Sequence, residues 1–381
     1  MSPYSPDIYS GRFITLDFET TNNYKGNAAY DNHVVCAVWR KSWDKQVSVE
    51  LETFSKLKAD VESANVLIAH NAKFELKWLS RLGISTDHLA IFDTMLAEYT
   101  IQGNSGELVG LGPTCERYGL PTKEPYIDRV MKAGVCPSEM PQSLLISRCV
   151  DDVLTTHKLA LILAKKLREN DQWPLYHTKA LFCKCLAQIE MVGLFLDKDR
   201  VMAAYTEANT QLQDVEQRLD EFTGGINHNS PQQKAEYLYD VLGFAEPMHR
   251  GKPDRTAAGG RKTDKDTIMS LQPKTEQQEQ YLALMREYQT LYADVSKALS
   301  KFNDCVVAGE IMYADFNQAR SQTHRLTSSG TKHKVQFQNL HRKFKPLFCS
   351  RNEGWYTAEV DASQAEFRVV AQVKGIELEV V

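Results

Sequence analysis

Two acidic residues two positions apart occur in an apolar run near the start of the chain. The segment "RFITLDFET" carries Asp17 and Glu19 in a strand-like alternation. Successive side chains of a strand point to opposite faces, so these two carboxylates leave the same face. They repel each other unless a cation lies between them. On its own such a pair is more typical of a solvated surface strand, so a metal site needs support from other residues.

Two later segments supply carboxylates that can join this pair. In "AHNAKFELKWL", Asn71 follows an apolar strand and Glu75 falls on the first turn of the next predicted helix. In "CVDDVLTTH", the apolar stripe of a long predicted helix directs Asp152 toward the sheet. Together, Asp17, Glu19, Glu75 and Asp152 predict a four-carboxylate cluster. Such oxygen ligands suit two Mg²⁺ or Mn²⁺ ions ~3.5–4 Å apart, which activate a water and stabilise the charge on a phosphodiester being cleaved.

Alternating strand-like and helix-like segments in residues 1–175 position these carboxylates and predict an α/β layer domain. The strand-like segments are "RFITLDFET", "HVVCAVWR", "QVSVEL" and "NVLIAH". The predicted helices are "NAKFELKWLSRLG", closed by Gly83, and "SLLISRCVDDVLTTHKLALILAKKL", with apolar residues at Leu145, Cys149, Val153, Ala160 and Leu167.

The rest of the chain divides into a helical part and a basic part. Residues 176–310 are mostly helical in pattern, with two long helices in "VMAAYTEANTQLQDVEQRLDEF" and "TEQQEQYLALMREYQTLYADVSKALSKF". Residues 315–351 hold eight Lys or Arg and one acidic residue, which predicts either a phosphate-contacting surface or a solvated loop. After them, "WYTAEVD" predicts a strand that feeds a helix in "SQAEFRVVAQV".

The composition excludes several classes of protein. The 381 residues, 43% hydrophobic and 25% charged, suit a globular protein of two or three domains. No apolar stretch approaches the ~20 residues that span a bilayer, and the N-terminus has no signal-peptide pattern. The eight cysteines are scattered, which favours free thiols in the cytoplasm. "GGRKT" lacks the spacing of a nucleotide-binding loop.

The acidic segments, in this order, resemble the 3′–5′ proofreading exonuclease domain of family A DNA polymerases, a ribonuclease-H-like fold. The matching residues are Asp17 and Glu19 for the first motif, Asn71 and Glu75 for the second, and Asp152 with Thr156 for the third. "FDTMLAEYTI" matches a segment between the second and third motifs. The resemblance implies a two-metal exonuclease that degrades single-stranded DNA.

Two departures from this pattern concern the chemistry of the predicted site. Glu75 stands where the family usually has Asp, and Arg148 stands where it usually has a water-orienting Tyr. Arg148 lies one helical turn before Asp152, so the two can form an ion pair. A guanidinium cannot accept a proton from water and competes with a metal for the carboxylate. We therefore expect a weakened or altered exonuclease, whose rate an Arg148→Tyr change would raise.

The helical part resembles the thumb of the same polymerases. "GINHNSPQQKAEYLYDVLGF" resembles the thumb tip, which grips the DNA backbone through phosphate contacts. The alternative is that "NSPQQKAEYLYDVLG" is a Ser-capped helix with Pro at its first turn and no binding role.

The last segment resembles the start of the polymerase palm. "SQTHRLTSSGTKHKVQFQNLHR" implies that Arg325, Gln338 and Asn339 contact primer, template or incoming nucleotide, with His324 in place of the usual Gly. "DASQAEFRVVA" resembles motif A, with Ala362 in place of the usual Tyr. The resemblance implies that Asp361 binds two catalytic Mg²⁺ ions, that Glu366 excludes ribonucleotides, and that Arg368 binds nucleic acid or nucleotide. Alternatively, Ser363 and Glu366 form only a helix capping box.

Taken together, the segments predict an exonuclease domain with a mixed sheet flanked by helices (1–175), a helical thumb (176–310) and the start of a palm (311–381). The family resemblance implies a replicative polymerase portion that binds primer-template and single-stranded DNA. Because "KGIELEVV" departs from the family pattern, we expect a break near Lys374, which leaves three alternatives: a split polymerase with a complementing chain that carries the fingers and the rest of the palm, an interrupted gene, or a truncated sequence. No 5′ nuclease pattern precedes the first motif, which resembles bacteriophage replicases, so we expect a bacteriophage source with activity in the host cytoplasm. Two alternatives are a catalytically silent DNA-binding scaffold and a free-standing RNA-trimming exonuclease.

Overall fold

Five strands form one mixed sheet at the N-terminal end of the chain. The computed structural model describes residues 11–122 and 125–375. The sheet has the order β3-β2-β1-β4-β5, with bounds β1 Phe13–Thr20, β2 Val34–Lys41, β3 Val47–Glu50, β4 Val66–Ala69 and β5 Ala90–Asp93. β2 is antiparallel to β1 and β3, whereas β4 is parallel to β1 and β5. All four strands predicted for residues 1–175 are present, and β1 is the central strand.

Seven helices pack around this sheet. They are α1 Ser55–Glu62, α2 Lys73–Arg81, α3 Thr94–Gln102, α4 Leu111–Arg117, α5 Pro125–Lys132, α6 Gln142–Glu169 and α7 Trp173–Val192. The predicted stripe of α6 is buried throughout, because Leu145, Cys149, Val153, Ala160 and Leu167 face the interior. Trp39, Trp78 and Phe92 fill the centre of the core between the sheet and the helices.

The helical part has its own core. Its elements are β6 Phe195–Leu196, α8 Lys198–Thr223, α9 Pro231–Ala235, β7 Met248–His249, β8 Lys252–Pro253, α10 Lys265–Ser270, α11 Glu276–Asp294 and α12 Ser300–Val307, with π-helical turns at Glu236–Val241 and Val295–Leu299. The second long predicted helix is thus α11, a π turn and α12 in succession. Leu219, Tyr281 and Tyr288 are among the buried residues that join α8 to α11.

Short elements form the C-terminal part. They are the hairpin of β9 Ala314–Asn317 and β10 Thr327–Gly330, β11 Phe348–Cys349, which pairs with β6, and α13 Ala365–Lys374. The described residues also form four 3₁₀ helices, at Asn23–Gly26, Pro137–Glu139, Phe337–Asn339 and Arg342–Leu347. Every helix among residues 11–122 and 125–375 is too short or too polar to cross a lipid bilayer.

Two local predictions near the C-terminus are wrong. "WYTAEVD" forms no strand, because it lies exposed with no neighbouring strand to pair its backbone groups. The Ser363–Glu366 capping box is also absent. Gln364, with φ of 50°, precedes the first residue of α13, and no side chain caps this helix start. The carboxylate of Glu366 instead pairs with Arg325. Residues 376–381, which include most of the segment where a chain break is expected, lie outside the described residues.

Candidate functional site

The central strand β1 carries the first two acidic side chains of the site. Asp17 and Glu19 lie opposite Val38 and Cys36 of β2. Glu19 is buried at 7% exposure and Asp17 is half-buried. The period of two puts both carboxylates on the face that α6 covers, as the sequence predicts.

Helix α6 supplies the third carboxylate. Asp152 is 4% exposed and Thr156 is buried beside it on the same face, whereas the neighbouring Asp151 points to solvent. The apolar stripe of α6 fixes this orientation, because Cys149 and Val153 pack against Cys36 and Val38 of β2. The prediction that Asp152 faces the sheet is therefore confirmed.

These three side chains come together. Asp17, Glu19 and Asp152 each offer a carboxylate oxygen within 4.8 Å of the other two, and in the part of the chain that the structure describes this is the one such group of three acidic or metal-ligating side chains. Hard divalent cations such as Mg²⁺ and Mn²⁺ take oxygen ligands of this type. We call these three residues the acidic cluster.

Glu75 faces the acidic cluster from α2. It lies on the first turn of that helix, as predicted, and is 2% exposed. Burial raises the pKa of Glu75 well above its ordinary value, and the negative charge of Asp17 adds to the rise. Its Oε2 atom is buried with no hydrogen-bond partner among the described residues. Glu75 is not one of the carboxylates that lie within 4.8 Å of one another, so the predicted cluster of four is a group of three with Glu75 near Asp17. A buried carboxylate oxygen without a donor fits a site for a cation.

Asp93 positions Glu75, although sequence reasoning assigned no role to this residue. It ends β5, and its carboxylate accepts backbone N–H bonds at the starts of both α2 and α3. The donors are Asn71 at 3.1 Å, Ala72 at 2.9 Å, Met95 at 2.8 Å and Leu96 at 3.3 Å. These bonds hold Asn71 at a left-handed φ of 69° and fix where α2 begins. An Asp between a strand and a helix is a helix N-cap signal that could have identified it.

Arg148 contacts the acidic cluster, but not through the partner expected first. Its Nε atom lies 3.0 Å from Oε1 of Glu19 and 4.0 Å from Oδ2 of Asp152. The predicted pair with Asp152 is thus the longer of the two, because the side chain reaches past its own helix toward β1. Arg148 is 13% exposed at its side chain, so the charge lies largely inside the protein.

A buried thiol also contacts the acidic cluster, and no sequence pattern indicated it. Cys149 donates its S–H to Oδ2 of Asp17 at 3.0 Å, and Cys36 lies beside it. Burial raises the pKa of the Cys149 thiol well above its ordinary value, with contributions from Cys36 and from the charge of Asp17. The neutral thiol therefore holds one oxygen of Asp17 in a fixed direction.

A cavity of about 400 Å³ opens between α2, α3 and the β9–β10 hairpin. Asn71 lines it together with Lys25 and Lys334, which form no ion pair within the described ranges. Lys73 and Lys77 also line the cavity, but both pair with the buried carboxylate of Glu190. The cavity is therefore rich in nitrogen donors, which suit phosphate and other anions.

The residues predicted for the palm lie apart from the acidic cluster. Arg325 pairs with Glu366, Gln338 donates to the carbonyl of Leu326, Asn339 donates to Gln336, and Arg368 donates to the carbonyl of Ser363. Asp361 is exposed and belongs to no group of three metal-ligating side chains among residues 11–122 and 125–375.

Comparisons with known proteins agree with the family resemblance. Residues 198–378 match the model of DNA polymerase family A. The chain is 28% identical over 324 residues to DNA polymerase I of Synechocystis sp., covering 80% of this chain and 30% of that protein. It is also 28% identical over 347 residues to DNA polymerase I of Bacillus subtilis, covering 86% of this chain and 36% of that protein.

A solved structure shares the fold of nearly the whole chain. It is the POL domain of Pol1 from M. smegmatis in complex with DNA primer-template and dNTP, with a TM-score of 0.74 and 20% identity. The match covers 95% of this chain and 59% of that one. The chain spans about a third of the length of the two curated relatives named above. Residues 198–378 thus resemble DNA polymerase family A, and the relatives extend this likeness over 80% or more of the chain.

Proposed function

We propose that this chain is a divalent-metal-dependent 3′–5′ exonuclease that removes nucleotides from single-stranded DNA. The observation that carries the proposal is the convergence of Asp17, Glu19 and Asp152 beside the buried, unpartnered Oε2 of Glu75. Three carboxylates from two distant segments rarely meet inside a protein without a cation, because their mutual repulsion and desolvation are costly. Hydrolysis of a phosphodiester is the reaction that such a site serves best.

Each residue of the site has a distinct role in this proposal. Asp17, Glu19 and Asp152 hold Mg²⁺ or Mn²⁺, which when bound activates a water and stabilises charge on the phosphate. Glu75 adds a further oxygen at the edge of the acidic cluster. Asp93 fixes the start of α2 and so the direction of Glu75, since it caps that helix through backbone N–H bonds.

The cavity beside α2 suits the single-stranded substrate. Lys25 and Lys334 supply positive charge for phosphates, and Asn71 supplies an amide, which supports binding of a strand's phosphates in this cavity. Asp152 and Arg148 line a separate cavity. Contacts of this kind position a strand without reading its sequence. The substrate class is therefore single-stranded DNA without sequence preference.

We further propose the division into an exonuclease domain (1–175), a thumb (176–310) and the start of a palm (311–381). The strand order β3-β2-β1-β4-β5 supports a ribonuclease-H-like exonuclease fold. In the palm, Arg325, Gln338, Asn339 and Arg368 would contact primer-template or nucleotide, whereas Asp361 and Glu366 would serve nucleotidyl transfer. Nucleotidyl transfer needs at least one further carboxylate beside Asp361.

Adjacent aspartates on α6 provide the test. Asp152→Ala removes a buried member of the acidic cluster, whereas Asp151→Ala changes an exposed neighbour on the same helix. With a 5′-labelled single strand and Mg²⁺, we expect Asp152→Ala to lower the rate of mononucleotide release by about 10³-fold or more, the scale of an essential electrostatic group. Asp151→Ala should stay within about twofold of the wild type. Equal rates in all three proteins would refute the exonuclease.

A second candidate function is a catalytically silent DNA-binding scaffold. The Arg148–Glu19 pair favours it, because the guanidinium already occupies one side of the acidic cluster. A scaffold would bind single-stranded DNA with a strong salt dependence but release no mononucleotide with Mg²⁺ or Mn²⁺. Measuring binding and hydrolysis on the same strand separates the two functions.

A further inference from the structure

The acidic cluster contains a positive charge of its own. Arg148 reaches from α6 to β1, and its Nε atom lies 3.0 Å from Glu19 and 4.0 Å from Asp152. A guanidinium stays protonated at any pH at which the protein is folded, so this charge cannot be lost by titration. Its side chain is 13% exposed, which leaves little water to screen it.

The charge balance of the acidic cluster then favours one divalent ion over two. Ionised Asp17, Glu19 and Asp152 carry three negative charges, and Arg148 reduces the net charge to two negative. One divalent cation neutralises this set. A second divalent cation would leave a net positive charge of two in a buried site, where uncompensated charge is strongly unfavourable.

The available ligand atoms lead to the same count. Two metal ions ~3.5–4 Å apart must share carboxylate oxygens between them. Oε1 of Glu19 already lies 3.0 Å from the charged Nε of Arg148 as an ion pair. A second ion would have to displace the guanidinium from this oxygen and lie against its charge.

We infer that Arg148 takes the place of the second metal ion, so that the acidic cluster binds a single divalent cation. The inference rests on the proposed metal-dependent nuclease, and it specifies the cofactor stoichiometry of that site. The guanidinium supplies, at the Glu19 side, the positive charge that a second ion would otherwise bring to a phosphate. The chain therefore uses a metal and an arginine where its family resemblance implies two metals.

The test counts Mn²⁺ ions bound by the full chain in the absence of DNA. Isothermal titration calorimetry gives the stoichiometry, and electron paramagnetic resonance separates an isolated Mn²⁺ from two exchange-coupled ions. The Asp17→Ala variant identifies the part of the signal that belongs to the acidic cluster. We expect one isolated ion in the wild type and in Arg148→Lys, which keeps the charge.

Removing the charge should change the count. In Arg148→Gln we expect two coupled ions. The affinity for the first ion should be at least about tenfold higher than in the wild type, because the positive charge of Arg148 no longer repels it. Two coupled ions in the wild type would overturn the inference, and so would one ion in Arg148→Gln with wild-type affinity. The wild-type count decides the matter even if Arg148→Gln fails to fold. Because these readouts need no hydrolysis, loss of the proposed exonuclease would appear separately in the mononucleotide assay.

Discussion

Asp93 is the residue on which the start of α2 depends most. Burial raises its pKa from 3.8 to about 6, although four backbone N–H bonds oppose the rise. The folded state therefore holds the proton more tightly than the unfolded chain. The stability that Asp93 contributes is complete below about pH 3.8 and is lost as the pH rises through about 6.

An Asp93→Asn variant tests this titration. We expect the wild type to lose about 2 kcal/mol of unfolding free energy relative to Asp93→Asn between pH 4.5 and pH 7, because only the wild type ionises there. Urea unfolding across this range measures the difference. Asp87→Asn, at an exposed turn, should show no such trend. A difference that is flat or that rises with pH would contradict the assignment.

At the scale of residues, the chemistry of each side chain decided whether its role could be predicted from the sequence. Asp17, Glu19 and Asp152 were predictable, because strand and helix periods fix which face a carboxylate takes. Asp93 was also predictable in principle, from its helix N-cap position, whereas Cys149 was not, since the partner of its thiol lies 132 positions away in the sequence. The contact of Arg148 with Glu19 depends on the distance between α6 and β1, which no local pattern contains.

At the scale of elements, periodic segments were predictable and isolated ones were not. β1 and β2 are short segments buried almost throughout, and α6 and α8 each bury one face, so their patterns located them. "WYTAEVD" has the same composition as a strand but no partner strand among the described residues, and strands need one. The π turn at Val295–Leu299 within the second long helix left the apolar spacing almost unchanged, so the sequence did not reveal it.

The loop between β9 and β10 is anchored to the sheet domain by His324. This residue has φ of 58°, and its Nδ1 atom lies 2.8 Å from Nζ of Lys179 while Nε2 lies 3.1 Å from the carbonyl of Gly103. Its ring also lies 4.4 Å from that of Tyr99. These contacts offset the strain of a non-glycine residue in the left-handed region.

A His324→Gly variant should release this loop. Glycine takes the same φ without strain but makes none of the side-chain contacts, so local opening becomes easier. We expect trypsin to cleave at Arg320 and Arg325 about tenfold faster than in the wild type, at an enzyme level where opening is in equilibrium. Thr323→Gly, an exposed position of the same loop, controls for glycine entropy. Similar rates in the two variants would show that the contacts of His324 do not hold the loop.

At the scale of the whole molecule, a buried ion network joins the sheet domain to the C-terminal part. Glu190 of α7 accepts from Lys73 at 2.5 Å, from Lys77 at 2.7 Å and from the backbone N–H of Phe316 at 2.6 Å. Lys73 also pairs with Asp315 of β9 at 2.9 Å. The helix that carries Glu75 is thus tied to the β9–β10 hairpin.

Glu190→Ala should leave two lysines buried without their main partner. We expect a loss of about 3–5 kcal/mol of unfolding free energy, the usual cost of removing one side of a buried ion pair. Urea unfolding measures it, with Glu169→Ala as the control, because Glu169 forms an exposed pair with Lys165 at 3.6 Å. A double-mutant cycle with Lys77→Met should show strong coupling. Additive effects would mean that Glu190 does not bind these lysines.

The complementing chain, the bacteriophage source and the cytoplasmic location stay predictions.

The central place of β1 in its sheet has a consequence for how the acidic cluster opens. Asp17 and Glu19 pair on one side with β2, and β1 is bonded on the other side to β4 through Phe13–Thr15, just before Asp17. Their amide hydrogens therefore exchange with deuterium only when the sheet as a whole comes apart. We expect protection factors at Asp17 as high as any in the chain, measurable by exchange with mass spectrometry. Fast exchange there would mean that the cation ligands sit on a strand that detaches by itself.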